Sequence, residues 1–178
     1  MRNFALMLYV AFSVVGTSAQ ASEPLRSVPS VDLQRYVGTW YEQARMPMFF
    51  QRKCAANTTA TYTLQSDGLI KVNNRCDTNE GTQIDAVGVA KSVPGSTSKL
   101  KVSFAPKAIS FLPFVWGDYW VIDLDPSYRW AVVGEPEKKY LWVLSRDKSL
   151  PQAELTAIVE RARLMGFRVE RLLYTQQK

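Results

Sequence analysis

Residues 59–73 read Thr-Ala-Thr-Tyr-Thr-Leu-Gln-Ser-Asp-Gly-Leu-Ile-Lys-Val-Asn, and this stretch decides the fold. Ala60, Tyr62 and Leu64 alternate with three threonines, Ser66-Asp67-Gly68 is a turn, and Ile70 and Val72 then alternate with Lys71 and Asn73. Period-2 alternation on either side of a glycine turn predicts a β-hairpin with one apolar face. The pattern repeats outward. Ile84, Ala86, Gly88 and Ala90 follow, then a Pro94-Gly95-Ser96 turn, then Leu100, Val102 and Phe104 alternating with Lys99, Lys101 and Ser103. Beyond an apolar loop come strands at 119–124, 130–134 and 140–145, separated by Asp125-Pro126-Ser127 and Glu135-Pro136-Glu137. With residues 39–46 this makes eight strands in sequence order. The expected class is all-β, an eight-stranded antiparallel up-and-down β-barrel, which leaves no exposed edges. A sandwich satisfies the same periodicity.

One helix interrupts the strands, and it comes late. Ser149 and Gln152 have capping-box spacing with Pro151 in the first turn. Leu155, Ile158, Val159, Ala162 and Met165 then share a face, and Gly166 is a natural stop. Such a C-terminal helix is expected to pack outside the barrel, with Phe167 and Val169 forming a short closing strand. No repeat, linker or second domain is visible, and 178 residues suit one domain.

Composition narrows the chemistry. The chain has no histidine, which excludes Ser-His-Asp and Cys-His catalysis and His-ligated zinc or haem. Two cysteines cannot make a four-cysteine metal site, and no metal ligands, phosphate loop or nucleophile elbow stand out. The net charge of +6 suits anionic surfaces, but without a basic run it does not point to nucleic acid.

The N-terminus reads as an export signal. Arg2 precedes an apolar run over residues 4–15, and Ala19-Gln20-Ala21 is a small-x-small ending. The run is shorter than the ~20 residues of a spanning helix, so cleavage after Ala21 is expected, leaving 22–178 as a single domain. No cysteine lies near the cut, so lipid attachment there is not expected. The expected location is exported and periplasmic, with outer-membrane association as an extension. In an oxidising compartment Cys54 and Cys76 favour a disulfide over two free thiols. A simple hairpin register leaves them a few residues out of alignment, so a bulge or barrel shear has to bring their Cα atoms within about 7 Å.

Three motifs in order carry a resemblance. Gly38-Thr39-Trp40-Tyr41-Glu42 opens the first strand after a short helical turn. Leu141-Trp142-Val143-Leu144-Ser145-Arg146 closes the last, and Asp123-Leu124-Asp125-Pro126-Ser127-Tyr128 lies between. The chain resembles the lipocalin family over residues 31–176, most closely its branch of bacterial outer-membrane lipocalins, apolipoprotein D and plant temperature-induced lipocalins. The third motif departs from the family pattern at Leu124 and Pro126.

The resemblance implies that Trp40 sits at the closed end of the barrel with Arg146 stacked over it, a structural pair. With Trp40 pointing inward, parity carries Glu42, Ala44 and Met46 inward too. Met46, Phe49, Tyr62, Asn74, Val102, Phe104, Tyr119, Tyr140 and Trp142 are then the candidate ligand-binding residues. Ala60, Ala86, Gly88 and Ala90 leave room inside. Glu42, a carboxylate in such a wall, needs an internal arginine or a polar group of the ligand as partner. Residues 109–116, with Ile109, Phe111, Leu112, Phe114 and Trp116, are too apolar for an ordinary loop. They either plug the barrel or form a rim that touches lipid, a membrane surface or a second subunit in a homodimer. Lys107 beside them suits an anionic head group.

The implied function is binding and carriage of hydrophobic ligands, fatty acids or lysophospholipids, for lipid transport or membrane maintenance in the bacterial envelope, with no cofactor and no catalysis. The alternative is a lipocalin-type isomerase using a free cavity cysteine, which requires that Cys54 and Cys76 not be bonded.

Overall fold

The computed structural model describes residues 23–178, so the export signal read at residues 1–21 lies outside the described residues. A single turn of helix, α1 (Leu33–Tyr36), is started by Asp32, whose carboxylate accepts the N–H groups of Gln34 and Arg35. Eight strands follow: β1 (Gly38–Arg45), β2 (Ala56–Leu64), β3 (Ile70–Asp77), β4 (Gln83–Ser92), β5 (Lys99–Ser103), β6 (Gly117–Leu124), β7 (Trp130–Gly134) and β8 (Leu141–Ser145). Each pairs antiparallel with the next, and β1 pairs with both β8 and β2. The ladder therefore closes on itself, and the sandwich alternative is excluded. The hairpin over residues 59–73 pairs Tyr62 with Val72 and Leu64 with Ile70.

Closure is uneven around β1. It pairs with β2 only from Gly38 to Tyr41, where Tyr41 faces Thr59. Beyond that the two strands diverge, and the chain's last residues fill the gap. Strand β9 (Leu173–Tyr174) pairs with Arg45 and Ala44, and Thr175 donates its N–H to the Gln43 carbonyl. On the other side Asn57 donates to the carbonyl of Gln176, and the Gln177 amide bridges the carbonyls of Glu42 and Thr58 at 2.8 and 2.9 Å. The closing strand thus lies later than the expected Phe167 and Val169. Phe167 is buried against the helix cluster instead, and Val169 begins a 3₁₀ turn.

Helix α2 (Gln152–Leu164) packs on the outer face of the barrel. Leu155, Ile158 and Ala162 meet Ala44, Met46, Ile122, Trp130, Val132 and Val143 in one apolar cluster. Burying an Ile158-sized side chain contributes about 2–3 kcal/mol. Arg161 clamps Asp123 at 2.7 Å, and Trp130 donates its indole N–H to Glu154 at 2.9 Å. The expected capping box does not form. Pro151 occupies the cap position with no side-chain hydrogen bond, since proline supplies the starting φ without a donor to satisfy. Gly166 ends the helix as expected, with the Phe167 N–H reaching back to the Ala162 carbonyl.

Bulges decide which residues face the lumen. β1 shifts register against β8 between Glu42 and Ala44, and β6 shifts against β7 between Val121 and Asp123. Trp40 and Glu42 point inward, but Ala44 and Met46 lie in the outer cluster with α2. Parity carried unbroken from Trp40 fails at Gln43, so the expectation that Met46 faces the ligand is corrected. Arg45 turns to the inside in its place and binds Glu42.

Candidate functional site: a cavity between a sealed floor and an open mouth

The closed end is built from all three motifs. Trp40 is fully buried and the Arg146 guanidinium lies 3.8 Å from its ring centroid. Arg146 also donates to the carbonyls of Arg35, Tyr36, Val37 and Thr39, taking up the unpaired end of α1. The Trp40 indole N–H reaches the Tyr36 carbonyl at 2.8 Å. Gly38 is required here twice over. Its φ is +98°, and a Cβ would approach Arg146 Nη1 to 3.2 Å.

The third motif seals the same end. The Tyr128 hydroxyl accepts the Asp32 N–H at 2.8 Å, and Arg35 stacks over the Tyr128 ring. The turn itself is held by the Asp125 carboxylate, which accepts the N–H groups of Ser127 and Arg129 and the Arg129 guanidinium. Burial pushes the Asp125 pKa up, but these hydrogen bonds and the Arg129 charge outweigh it and hold it below the ordinary carboxylate range.

Above this floor is a cavity of about 810 Å³, within the usual range for a small-molecule site. Its deep end carries three tyrosines. The Tyr119 hydroxyl lies 2.9 Å from that of Tyr36 and 2.9 Å from that of Tyr62. Burial raises the pKa of all three, Tyr62 to about 12, so the network stays neutral. Leu100, Val102, Val72, Ile70, Ala60 and Ala90 form apolar wall around and above it. Gly88 makes room for a neighbour: a Cβ there would come within 2.7 Å of the Phe104 ring and 2.6 Å of the Ser103 carbonyl.

The upper wall is more polar. Glu42 is buried and its carboxylate is fully engaged, by Arg45 at 2.6 Å, Thr175 at 2.5 Å and Gln51 at 3.1 Å. The internal arginine that Glu42 needs is therefore Arg45, which also donates to the Cys54 carbonyl. Gln51 in turn accepts the Trp142 indole N–H at 3.0 Å. On β2 and β3 Thr58 Oγ1 and Asn74 Oδ1 are buried with no partner among the described residues. Both residues line the cavity.

Cys54 and Cys76 are bonded, with Cα atoms 5.4 Å apart. The register gap between them is closed partly by a bulge in β2 between Ala56 and Thr59, where Asn57 takes a φ of +53°. The bond pins the β1–β2 loop to the barrel wall, and no free cysteine remains among the described residues.

The mouth is apolar and exposed. Phe49 is 75 % exposed, Phe111 78 % and Phe114 80 %, and Phe50 and Ile109 are also exposed. Residues 109–116 therefore form a rim and do not plug the barrel. Trp116 is held back, with its indole N–H on the Ser110 carbonyl and Lys91 over its ring. Opposite, the Glu135 carboxylate accepts the N–H groups of Glu137, Lys139 and Tyr140 and fixes the β7–β8 loop beside the opening.

Of the residues singled out from sequence, Phe49, Tyr62, Asn74, Val102, Phe104, Tyr119, Tyr140 and Trp142 line this one cavity. Met46 does not. Sequence reasoning missed Tyr36, Gln51 and Thr58. Tyr36 precedes the first strand, Gln51 sits in a loop, and Thr58 follows a bulge, so strand parity carried no signal for them.

A family description, the lipocalin-like domain, matches residues 31–177. The chain is 39 % identical over 152 residues to temperature-induced lipocalin-1 of Arabidopsis thaliana, covering 84 % of this chain and 81 % of that one. It is 39 % identical over 159 residues to the outer membrane lipoprotein Blc of Vibrio cholerae, covering 88 % of each. Among solved structures, insecticyanin of the tobacco hornworm superposes with a TM-score of 0.66 at 18 % identity, covering 88 % of this chain and 86 % of that one, a likeness of fold.

Proposed function

The chain belongs to the lipocalin family, and from that premise we propose that it binds and carries single-chain amphiphiles, fatty acids or lysophospholipids, within a bacterial envelope. The observation that carries the reading is the open apolar cavity, sealed by Trp40 and Arg146 below and rimmed by exposed aromatics above. An acyl chain entering it leaves water at about 0.8 kcal/mol per methylene. Thr58 and Asn74, with Lys139 and Tyr140 at the edge, offer polar contacts for the glycerol or head-group region. The rim of Phe49, Phe50, Ile109, Phe111 and Phe114 suits a lipid surface from which such a molecule is collected or to which it is delivered. Arg52, Lys53 and Lys107 flank those side chains in sequence and fit anionic head groups. The outer-membrane assignment of the Vibrio cholerae relative supports an envelope location.

Carriage is favoured over catalysis. The isomerase alternative needs a free cavity thiol, and both sulfurs are in the disulfide.

The test is extraction of the purified protein with organic solvent and mass spectrometry of what it carries. A lysophosphatidylcholine titration of the delipidated protein, read by tryptophan fluorescence, accompanies it. Stoichiometric acyl lipid and saturable quenching through Trp142 are expected. An empty extract with a flat titration contradicts the reading and leaves the apolar rim as a surface for a protein partner or a second copy.

A further inference from the structure

The floor of the cavity has a hydrogen-bond count that does not close. Tyr36, Tyr62 and Tyr119 each bring one O–H donor, and only two hydrogen bonds join their three hydroxyls. Whichever way the hydrogens turn, one O–H is left over. If Tyr36 and Tyr62 both donate to Tyr119, the spare donor is on Tyr119. If the chain runs in one direction, it is on a terminal tyrosine. Among the described residues no other hydrogen bond joins these hydroxyls to the protein. The spare donor belongs to a network that lines the cavity. Tyr62 lies six residue steps along β2 from Ala56 near the mouth, about 20 Å at strand spacing, which an extended chain has to cross to reach it.

We propose that the ligand's inserted end carries a neutral oxygen, a hydroxyl or carbonyl at or near the chain terminus, and that the Tyr36–Tyr119–Tyr62 network recognises it. This rests on the cavity-binding reading above and specifies its ligand. A plain methyl end leaves the donor unpaired or traps a water against hydrocarbon, either of which weakens binding. A terminal carbonyl accepts the spare O–H. A terminal hydroxyl accepts it and donates its own hydrogen to a tyrosine oxygen, each of which has lone pairs free. The inserted end is neutral because the burial that keeps the tyrosines protonated equally opposes a carboxylate at the same place. An anionic head group therefore stays at the mouth.

The experiment compares hexadecanoate with 16-hydroxyhexadecanoate by calorimetry on the delipidated protein and on the triple variant Tyr36→Phe/Tyr62→Phe/Tyr119→Phe, which keeps the ring packing. The native protein is expected to bind the hydroxylated chain at least threefold more tightly than the plain one. The variant is expected to reverse the order, giving a coupling of about tenfold or more across the cycle. An equal effect of the hydroxyl in both proteins overturns the proposal. Failure of the native protein to bind either chain instead removes the cavity reading on which it rests. A second measurement needs no variant: the infrared carbonyl stretch of 15-oxohexadecanoate bound to the native protein. A ketone band shifted to lower frequency than in hydrocarbon is expected, and an unshifted ketone band contradicts the assignment.

Discussion

The two ends of the barrel handle their polar and apolar groups in opposite ways. At the closed end one guanidinium covers a buried tryptophan and takes up four carbonyls, and the Tyr128 hydroxyl ties Asp32 to the neighbouring turn. At the mouth five large apolar side chains, Phe49, Phe50, Ile109, Phe111 and Phe114, are largely exposed to water. A chain with only its own stability at stake would bury them, since each exposed ring forgoes burial free energy. The contrast separates the end that holds the fold from the end that meets the ligand.

The largest effect is expected at the floor. Trp40→Ala removes the stacking partner of Arg146 and opens a hole in the inner cluster, and urea unfolding should show a loss of about 3–5 kcal/mol. An unchanged midpoint would break the idea that stability is concentrated there. At the mouth, order depends on a covalent tie in place of packing. Cys54→Ser/Cys76→Ser opens a loop with a sequence separation of 22 and should lower stability by about 3 kcal/mol on chain-entropy grounds. Faster amide exchange in residues 46–55 should accompany it, with little change near Trp40.

Alkali tests the floor from a different direction. The buried tyrosines keep their protons in the folded state to higher pH than in the unfolded chain. Their contribution is therefore complete below about pH 10 and is lost as pH rises through the folded-state values. Tyr62 alone, raised to about 12, accounts for about 2–3 kcal/mol of that loss. Denaturant melts between pH 9 and 12 should show the decline, and Tyr62→Phe should make it shallower, with Tyr36 and Tyr119 supplying what remains. The smallest stability effect is expected at the rim. Phe111→Ser/Phe114→Ser should move the midpoint by less than about 0.5 kcal/mol while weakening binding to anionic vesicles severalfold in a flotation assay. A large destabilisation would mean that these rings pack in solution and are no lipid contact.

The difference between the ends also explains what the sequence discloses. The strands and their order follow from period-2 patterning and turn residues, and the Trp40–Arg146 pair from the family resemblance that the three motifs carry. The outward-packed helix follows from its apolar stripe. Bulges are invisible to alternation, because one extra residue moves every later side chain to the other face. That is why Met46 lies under α2 and Arg45 faces inward. The role of the last residues is equally hidden. Thr175 and Gln177 carry no strand pattern of note, yet they hold Glu42 and bridge β1 to β2. Long-range side-chain bonds of this kind leave no local signal. The rim is legible as an anomaly of composition, but composition does not say whether it folds inward or outward.

The most direct test of the account places a side chain where the ligand should lie. Ala86 lines the cavity on β4 and has open space around it, so Ala86→Trp should fill the upper lumen without disturbing the fold. Calorimetric titration of palmitoyl-lysophosphatidylcholine should show one molecule bound per native chain with a negative heat-capacity change, and at least tenfold weaker binding to the variant at an unchanged unfolding midpoint. Equal binding by the two proteins would place the lipid on the outside of the rim and contradict the claim that the barrel interior is the binding site.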